Sequence, residues 1–511
     1  YDVVGRKIRE VGPKGENGWR PATLTTYRPA DDQGELVQTG RVPGNDPDGV
    51  FTLHNEMATD YNVNRLPIAN KVGPNLATTA PTALTQISYD SRNRESCTAV
   101  RMNPAVFASP PADACALGTQ GADGPDRITR KTYDSEDRVL KIQRAYGTGL
   151  QQDYATYTYT ADGLQETMTD ARGYTARMAY DGHRRQNYWY MPKEDTPGQH
   201  DPFDFEKYEY DLNGNRTALY KRDGSKIEFV YDNLNRVIQK IVPTRADLDP
   251  IYTKNVLYAY DIRGLQTSAT FEDNGEGITN AYDRYGRMTT ATEAMDGNSW
   301  SLDSYYDVGS NRVNLFHRWN NAMFTYTYSS GGQFNQLKDP YGNVLVDFDY
   351  NAKNELASAS RISSAPDQSF TYDPISRLET SGWGGSDQVS WTYTRNPASQ
   401  IKTEAQSNDA YSWTDFDPDD RSYEADGQNQ YTQISDKDGV KGICHDANGN
   451  LTADGEYVYL YDVENRLVEM HAAAGGTCTS LSYAGQLKAQ LRYDPMGRLH
   501  EVTNYVNGGS Q

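Results

Sequence analysis

A histidine follows a cysteine at Cys444-His445, the pairing of residue types from which a thiol nucleophile and its base are built. Neighbours on a strand project to opposite faces, so these two would not meet. The seven histidines, His54, His183, His200, His317, His445, His471 and His500, are scattered, and none forms a metal-spaced pair. Two acidic runs open like a calcium loop: Phe416-Asp417-Pro418-Asp419-Asp420-Arg421, and Asp446 with Asn448 and Asn450. An EF-hand loop needs Gly at its sixth position and a bidentate Glu at its twelfth. Counted from Asp446, Gly449 stands fourth and Tyr457 twelfth, so turn formation explains the run better. There is no Gly-x-x-x-x-Gly-Lys phosphate loop and no Gly-x-Ser-x-Gly elbow. Asn215-Arg216-Thr217 and Asn450-Leu451-Thr452 match glycosylation acceptors, as by-products of turn composition. The expectation is a chain that is not an enzyme and uses no cofactor or metal.

The elements that would position any site are set by repetition. Tyr-Asp, followed about four residues later by Gly-Arg or Asn-Arg, returns along the chain, and its spacing settles near twenty-two residues between Tyr260 and Tyr393. Such a period predicts one extended array over several separate cores. In Tyr208-Glu209-Tyr210-Asp211-Leu212-Asn213-Gly214-Asn215-Arg216, the tyrosines alternate to one face of a strand and Glu209 to the other. Asp211 starts a turn by accepting a backbone N–H. Gly214 permits positive φ, and a second strand begins at Arg216. The same β-hairpin reading covers Tyr231, Asp232 and Arg236; Tyr260, Asp261 and Gly264; and Tyr282, Asp283, Gly286 and Arg287. It also covers Tyr372, Asp373 and Arg377; Tyr461, Asp462 and Arg466; and Tyr493, Asp494, Gly497 and Arg498. The arginine after the turn has two structural readings: pairing with the aspartate before it, or stacking on a tyrosine of a neighbouring repeat. No stretch holds a helical period past two turns, so the class is all-β. Hairpins side by side make a long antiparallel sheet, and coiling that strip hides one face and manages its edges.

Composition agrees. Only 36% of residues are hydrophobic, but 39 are Tyr, whose ring and hydroxyl suit a half-wet sheet face. A net charge of −20 argues against nucleic acid as a partner. No run reaches the length of a transmembrane helix. The chain starts inside a repeat at Tyr1-Asp2-Val3-Val4-Gly5-Arg6 and shows no signal peptide, so its native N-terminus is expected to lie upstream. Three regions are expected: an irregular 1–127 with an inserted Pro-containing loop at 95–127, regular repeats at 128–505 with interruptions at 191–204 and 243–253, and a tail at 506–511. The cysteines fall as two local pairs. They read as disulfides Cys97–Cys115 and Cys444–Cys478, each stapling an insertion, or as four free thiols in a reducing compartment.

These repeats resemble the YD-repeat family, also called RHS repeats, found in bacterial polymorphic toxins, the B and C components of insecticidal Tc toxins, and teneurins. The family pattern, Tyr-x-Tyr-Asp followed by Gly-Arg-Leu, is matched at Tyr258-Ala259-Tyr260-Asp261-Ile262-Arg263-Gly264-Leu265, Tyr459-Leu460-Tyr461-Asp462-Val463-Glu464-Asn465-Arg466-Leu467 and Tyr493-Asp494-Pro495-Met496-Gly497-Arg498-Leu499. The resemblance covers most of residues 80–505. It implies a spiralling antiparallel sheet of hairpins forming a hollow shell, or part of one. In bacterial members that shell encloses a C-terminal toxin, and a plug segment beyond the repeats carries aspartate-dependent self-cleavage. That segment is not recognisable here, and Asp494-Pro495-Met496-Gly497 reads as a turn. Asn507-Gly508-Gly509-Ser510-Gln511 stop where a plug would follow. The expected role is a non-enzymatic shell from a longer secreted or cell-surface bacterial protein. Its partners would be a C-terminal effector segment or the secretion machinery. The teneurin-like alternative is surface recognition of carbohydrate or protein.

Overall fold

Tyr-rich alternation and turn residues at fixed offsets leave the chain few options besides hairpins, and hairpins are what it forms. The computed structural model describes residues 1–14, 18–28, 33–362, 365–386, 388–412, 420–478, 480–506 and 509–510. Within them are 43 strands and three one-turn 3-10 helices. No helix among the described residues is long and apolar enough to cross a membrane. Thirty-one strands share one antiparallel sheet, and pairing runs between strands that follow one another in sequence, as in the meander from Thr175–Tyr180 to Val237–Ile241.

The Tyr-Asp hairpins share one register device. Tyr210 pairs with Arg216, yet Glu209 pairs with Ala218, so the ladder slips by one residue at the tyrosine. The slip recurs at Tyr231, Tyr260, Tyr282, Tyr372, Tyr461 and Tyr493. It is the bulge expected when a type I turn is followed by a left-handed residue. The left-handed position is Gly214 at φ +89°, and in sister turns Asn235 at +61° and Asn465 at +64°. The sequence reading placed the turn correctly but did not foresee the bulge, which aligns each tyrosine with the first residue of the returning strand.

Contacts divide the chain into two compact units, each discontinuous in sequence. The first comprises Tyr1–Ala155, Ser304–Phe316 and Ala322–Asp415. Ordered pairing already begins at Arg9–Val11. The insertion in this unit is narrower than 95–127, because Glu95–Val100 is a regular strand paired to Arg127–Tyr133. What lies between is folded around a buried ion pair, Arg101 to Asp126 at 2.6 Å. Arg101 also donates to the Ala116 and Asp113 carbonyls, and Asp126 accepts from the Met102 and Gly118 N–H groups. Each buried charge thus has several partners, the condition under which such a pair is tolerated. Cys97 and Cys115 are joined, with Cα atoms 5.2 Å apart. They sit in a small apolar cluster with Ala99, Ala114 and Ile128.

The second unit comprises Thr156–Asp303, His317–Asn321 and Phe416–Gln511. Its main core packs Ile227, Val242, Leu248 and Tyr252 against Val463 and Val468. A second cluster joins Val256, Ala269, Phe271 and Met295. Around the 243–253 interruption, Asp249 caps a short helix, Pro250–Tyr252, that delivers Tyr252 to the core. Cys444 and Cys478 form the second disulfide, and no free cysteine is present among the described residues.

Candidate functional site

The residues singled out by the repeat come together as a clasp between successive hairpins. Asp232 shows its parts. One carboxylate oxygen accepts the N–H groups of Leu234 and Arg236, and the other accepts from Arg236 Nε at 2.7 Å. The same guanidinium donates to the Asp261 carbonyl of the next turn and lies 4.7 Å from the Tyr260 ring centre. Tyr260 in turn donates its hydroxyl to the Val237 carbonyl at 2.9 Å. The two readings of the arginine are therefore not exclusive: the guanidinium edge pairs with its own aspartate while its face covers the neighbour's tyrosine. The same pattern links Arg185 to Asp181, Asp211 and Tyr210, and Arg466 to Asp462 and Tyr493. In the first unit it links Arg94 to Asp90, Asp134 and Tyr133.

The tyrosine hydroxyl bond recurs in most of these turns. Tyr210, Tyr231, Tyr282, Tyr372 and Tyr493 donate to the carbonyls of Gln186, Arg216, Gln266, Leu356 and Leu467, at 2.7 to 3.0 Å. Each acceptor opens the returning strand of the preceding hairpin. A tyrosine is long enough to reach it while its ring remains packed, which a phenylalanine would do without the bond. One aspartate oxygen accepts the same two turn N–H groups in all seven repeats, and the other takes varied side-chain partners. Asp283, Asp373 and Asp494 pair with Arg287, Arg377 and Arg498 at 2.6 to 2.7 Å. Asp211 is served by the Asn215 amide at 2.8 Å, so Arg216 stands one place beyond the clasping position. Asp261 takes Arg263, from inside the turn, with Gly264 at φ +86° beside it. Gly286 and Gly497 hold the left-handed position in their turns, at φ +81° and +78°.

Electrostatics separate one turn from its sisters. The Arg185 hydrogen bond holds the Asp181 carboxyl down at about 2. The Arg236 side chain and N–H lower Asp232 likewise, and the Asn215 amide lowers Asp211. Asp462 goes the other way: burial raises it, outweighing the Arg466 charge. Its side chain is 1% exposed because Val463, at the turn tip, is a core residue. At the equivalent tip position, Leu212 and Ile262 are fully exposed. Lys221 donates to the Val463 carbonyl at 2.7 Å and to the Asn465 side chain, and Lys240 pairs with Glu464. Sequence reasoning grouped this turn with the rest; no local signal marks it, since Leu212 and Ile262 also put an apolar residue at the tip.

The thiol and imidazole of Cys444-His445 do not form a nucleophile and its base. Cys444 is in a disulfide, and burial lowers the pKa of His445 beside it. The Asp446 carboxylate accepts the Asn448 and Asn450 N–H groups and the Asn450 amide, which is turn-making. Asp417 and Asp419 lie outside the described residues, as do 507, 508 and 511 of the 506–511 tail. Among the described residues no group of three or more His, Cys, Asp or Glu is placed to hold a metal.

No protein-family model matches the chain, and no curated protein matches it. Among solved structures it is similar to a TcdB2-TccC3-Cdc42 complex, at 12% identity and a TM-score of 0.42, over 96% of this chain and 30% of that one. It is similar to TcdB2-TccC3 itself at 12% identity and 0.41, over 96% and 32%. The Photorhabdus luminescens Tc holotoxin pore gives 12% and 0.41, over 96% and 30%. The chain thus spans about a third of the length of the structures it matches.

Proposed function

We propose that this chain is a non-enzymatic encapsulating scaffold, the wall of a shell that encloses a C-terminal toxin or effector segment of the same longer protein until delivery. The observation that carries the reading is the clasp. Tyrosine, aspartate and arginine, the residue types from which a site would be built, are used to fasten each hairpin to the next. A wall needs that economy along its whole length, whereas an enzyme needs unusual chemistry at one place. The net charge of −20 favours a basic cargo or none in contact with the wall. Two disulfides suit an oxidising compartment, in keeping with a secreted or cell-surface bacterial protein. Electron microscopy of the full-length protein is the test. A hollow particle containing density beyond the wall is expected, and a solid particle would sink the reading.

A second reading is surface recognition. It is favoured by apolar side chains exposed at turn tips in the second unit, Leu212, Leu234, Ile262 and Tyr285. Specific cell or glycan binding by residues 128–505 alone would support it; binding that vanishes only when a downstream segment is removed would count against it.

A further inference from the structure

One strand of the first unit, Ile401–Gln406, has a neighbour on one side only. Among the described residues it pairs with Val389–Arg395 and with no other strand. The equivalent strand one hairpin earlier, Leu378–Trp383, has both edges occupied, by Gln368–Tyr372 and by Val389–Arg395. Residues 401 to 405 are all exposed, Ile401 at 56%. A row of unpaired N–H and C=O groups on such an edge is a template for a further strand.

The ladder fixes which residues face the open side. Trp391 lies opposite Gln406, Thr392 opposite Ala405 and Thr394 opposite Thr403. Next in this register, the Ser407 N–H donates to the Ser390 carbonyl at 2.9 Å. Bonded and non-bonded pairs alternate in an antiparallel ladder, so Thr403 and Ala405 also turn their backbone groups inward. Lys402, Glu404 and Gln406 turn theirs to the open edge. Lys402 is the extra residue of the bulge and has no residue opposite it in Val389–Arg395. Its side chain pairs with Asp123 at 2.6 Å yet is 47% exposed. An ammonium has three donors, so a second carboxylate can be accommodated.

We propose that this edge pairs with the same edge of a second copy of the chain, antiparallel about a two-fold axis through Thr403. In that register Lys402 of each copy lies opposite Glu404 of the other, and Ile401 opposite Ala405, while Thr403 faces its own counterpart. Opposite charges across a sheet stabilise it and like charges destabilise it. Moving the axis to Glu404, the next register the backbone allows, sets Glu404 against itself. A lysine on an edge strand is an ordinary guard against such pairing; here the glutamate two residues along cancels it. Self-complementarity of a single patch is the property of a two-fold interface, which favours a second copy over an unrelated strand. So short a strand buries an area at the low end of protein interfaces, which makes the dimer weak and reversible. The inference stands apart from the encapsulation reading, which concerns what the wall encloses.

The test is sedimentation velocity of the purified chain from about 1 μM to about 100 μM. A concentration-dependent equilibrium between monomer and dimer is expected. Lys402→Glu and Glu404→Lys should each weaken it about tenfold or more, because each turns two attractive pairs repulsive. The double variant should recover the dimer. Mixing the two single variants should give a heterodimer in which both pairs are again attractive. Asp123→Asn, which frees Lys402 from the carboxylate of its own chain, should leave the dimer intact. Circular dichroism establishes that the variants remain folded. The proposal is overturned if the chain is monomeric at every concentration, or if either single variant dimerises as the wild type does. It is equally overturned if neither the double variant nor the mixture recovers the dimer, or if Asp123→Asn abolishes it.

Discussion

Asp462→Asn tests the turn in which burial raises the aspartate. The carboxylate accepts the Glu464 and Arg466 N–H groups at 2.8 and 2.9 Å through one oxygen, and Arg466 Nε at 2.6 Å through the other. Asparagine keeps the first oxygen and places an amide donor against the guanidinium instead of the second. One charge-assisted hydrogen bond is lost, about 2–3 kcal/mol. In a unit of roughly 250 residues that corresponds to a fall in Tm of roughly 4–12 °C. The pH dependence discriminates more sharply. Burial raises the Asp462 carboxyl above its ordinary 3.8. Between that value and the raised one, the folded state binds more protons than the unfolded state, so the contribution of Asp462 to stability grows as pH falls. The gap between wild type and Asp462→Asn should therefore widen from about pH 7 to about pH 4.5. If the Arg466 pair governed the carboxyl instead, the gap would narrow. Differential scanning calorimetry at the two pH values, with amide exchange at residues 462–466, reads both quantities. A Tm within about 1 °C of wild type at neutral pH, or a narrowing gap, refutes the reasoning.

Three further outcomes follow from the same geometry. Tyr260→Phe removes the hydroxyl that reaches the Val237 carbonyl and should cost about 0.5–1.5 kcal/mol, seen as faster amide exchange in Val237–Ile241 with the arginine stacking retained. Unchanged exchange there would mean the bond contributes nothing. Reducing Cys97–Cys115, which closes a span of 18 residues, should remove about 3 kcal/mol from the 101–126 segment. Limited proteolysis should then cut within that segment first; cutting elsewhere at the same rate would contradict it. Asp181, Asp211 and Asp232 have lowered pKa values, so the stability they contribute is present above their ordinary 3.8 and lost as pH falls through their folded values, about 2 for Asp181. Acid titration followed by near-ultraviolet circular dichroism should show tertiary structure failing between about pH 4 and 2, and a midpoint above about pH 5 would exclude these carboxylates as the cause.

The hairpins were legible because their causes are local. Asp211 and Gly214 lie within the turn they make, and Tyr208 alternates with Glu209 regardless of neighbours. The arginine was half legible: its pairing with Asp232 is local, but its contact with Tyr260 needs the next hairpin in place. Arg216 shows the limit of counting, since one inserted residue moved it past the clasp and handed the bond to Asn215. The meeting of His500 with Glu293 at 2.6 Å was not legible, because the two come together only after some two hundred residues have folded between them.

By itself, then, the sequence determined the period, the turn chemistry and the all-β class, since each rests on residues within a few positions of one another. The tertiary structure alone decided which repeats became special. Asp462 and Asp232 occupy the same place in the same motif, yet the first is buried in a turn whose Val463 is a core residue and the second stays partly exposed. Burial reverses the sign of a carboxylate's pKa shift, and burial depends on what packs from far along the chain.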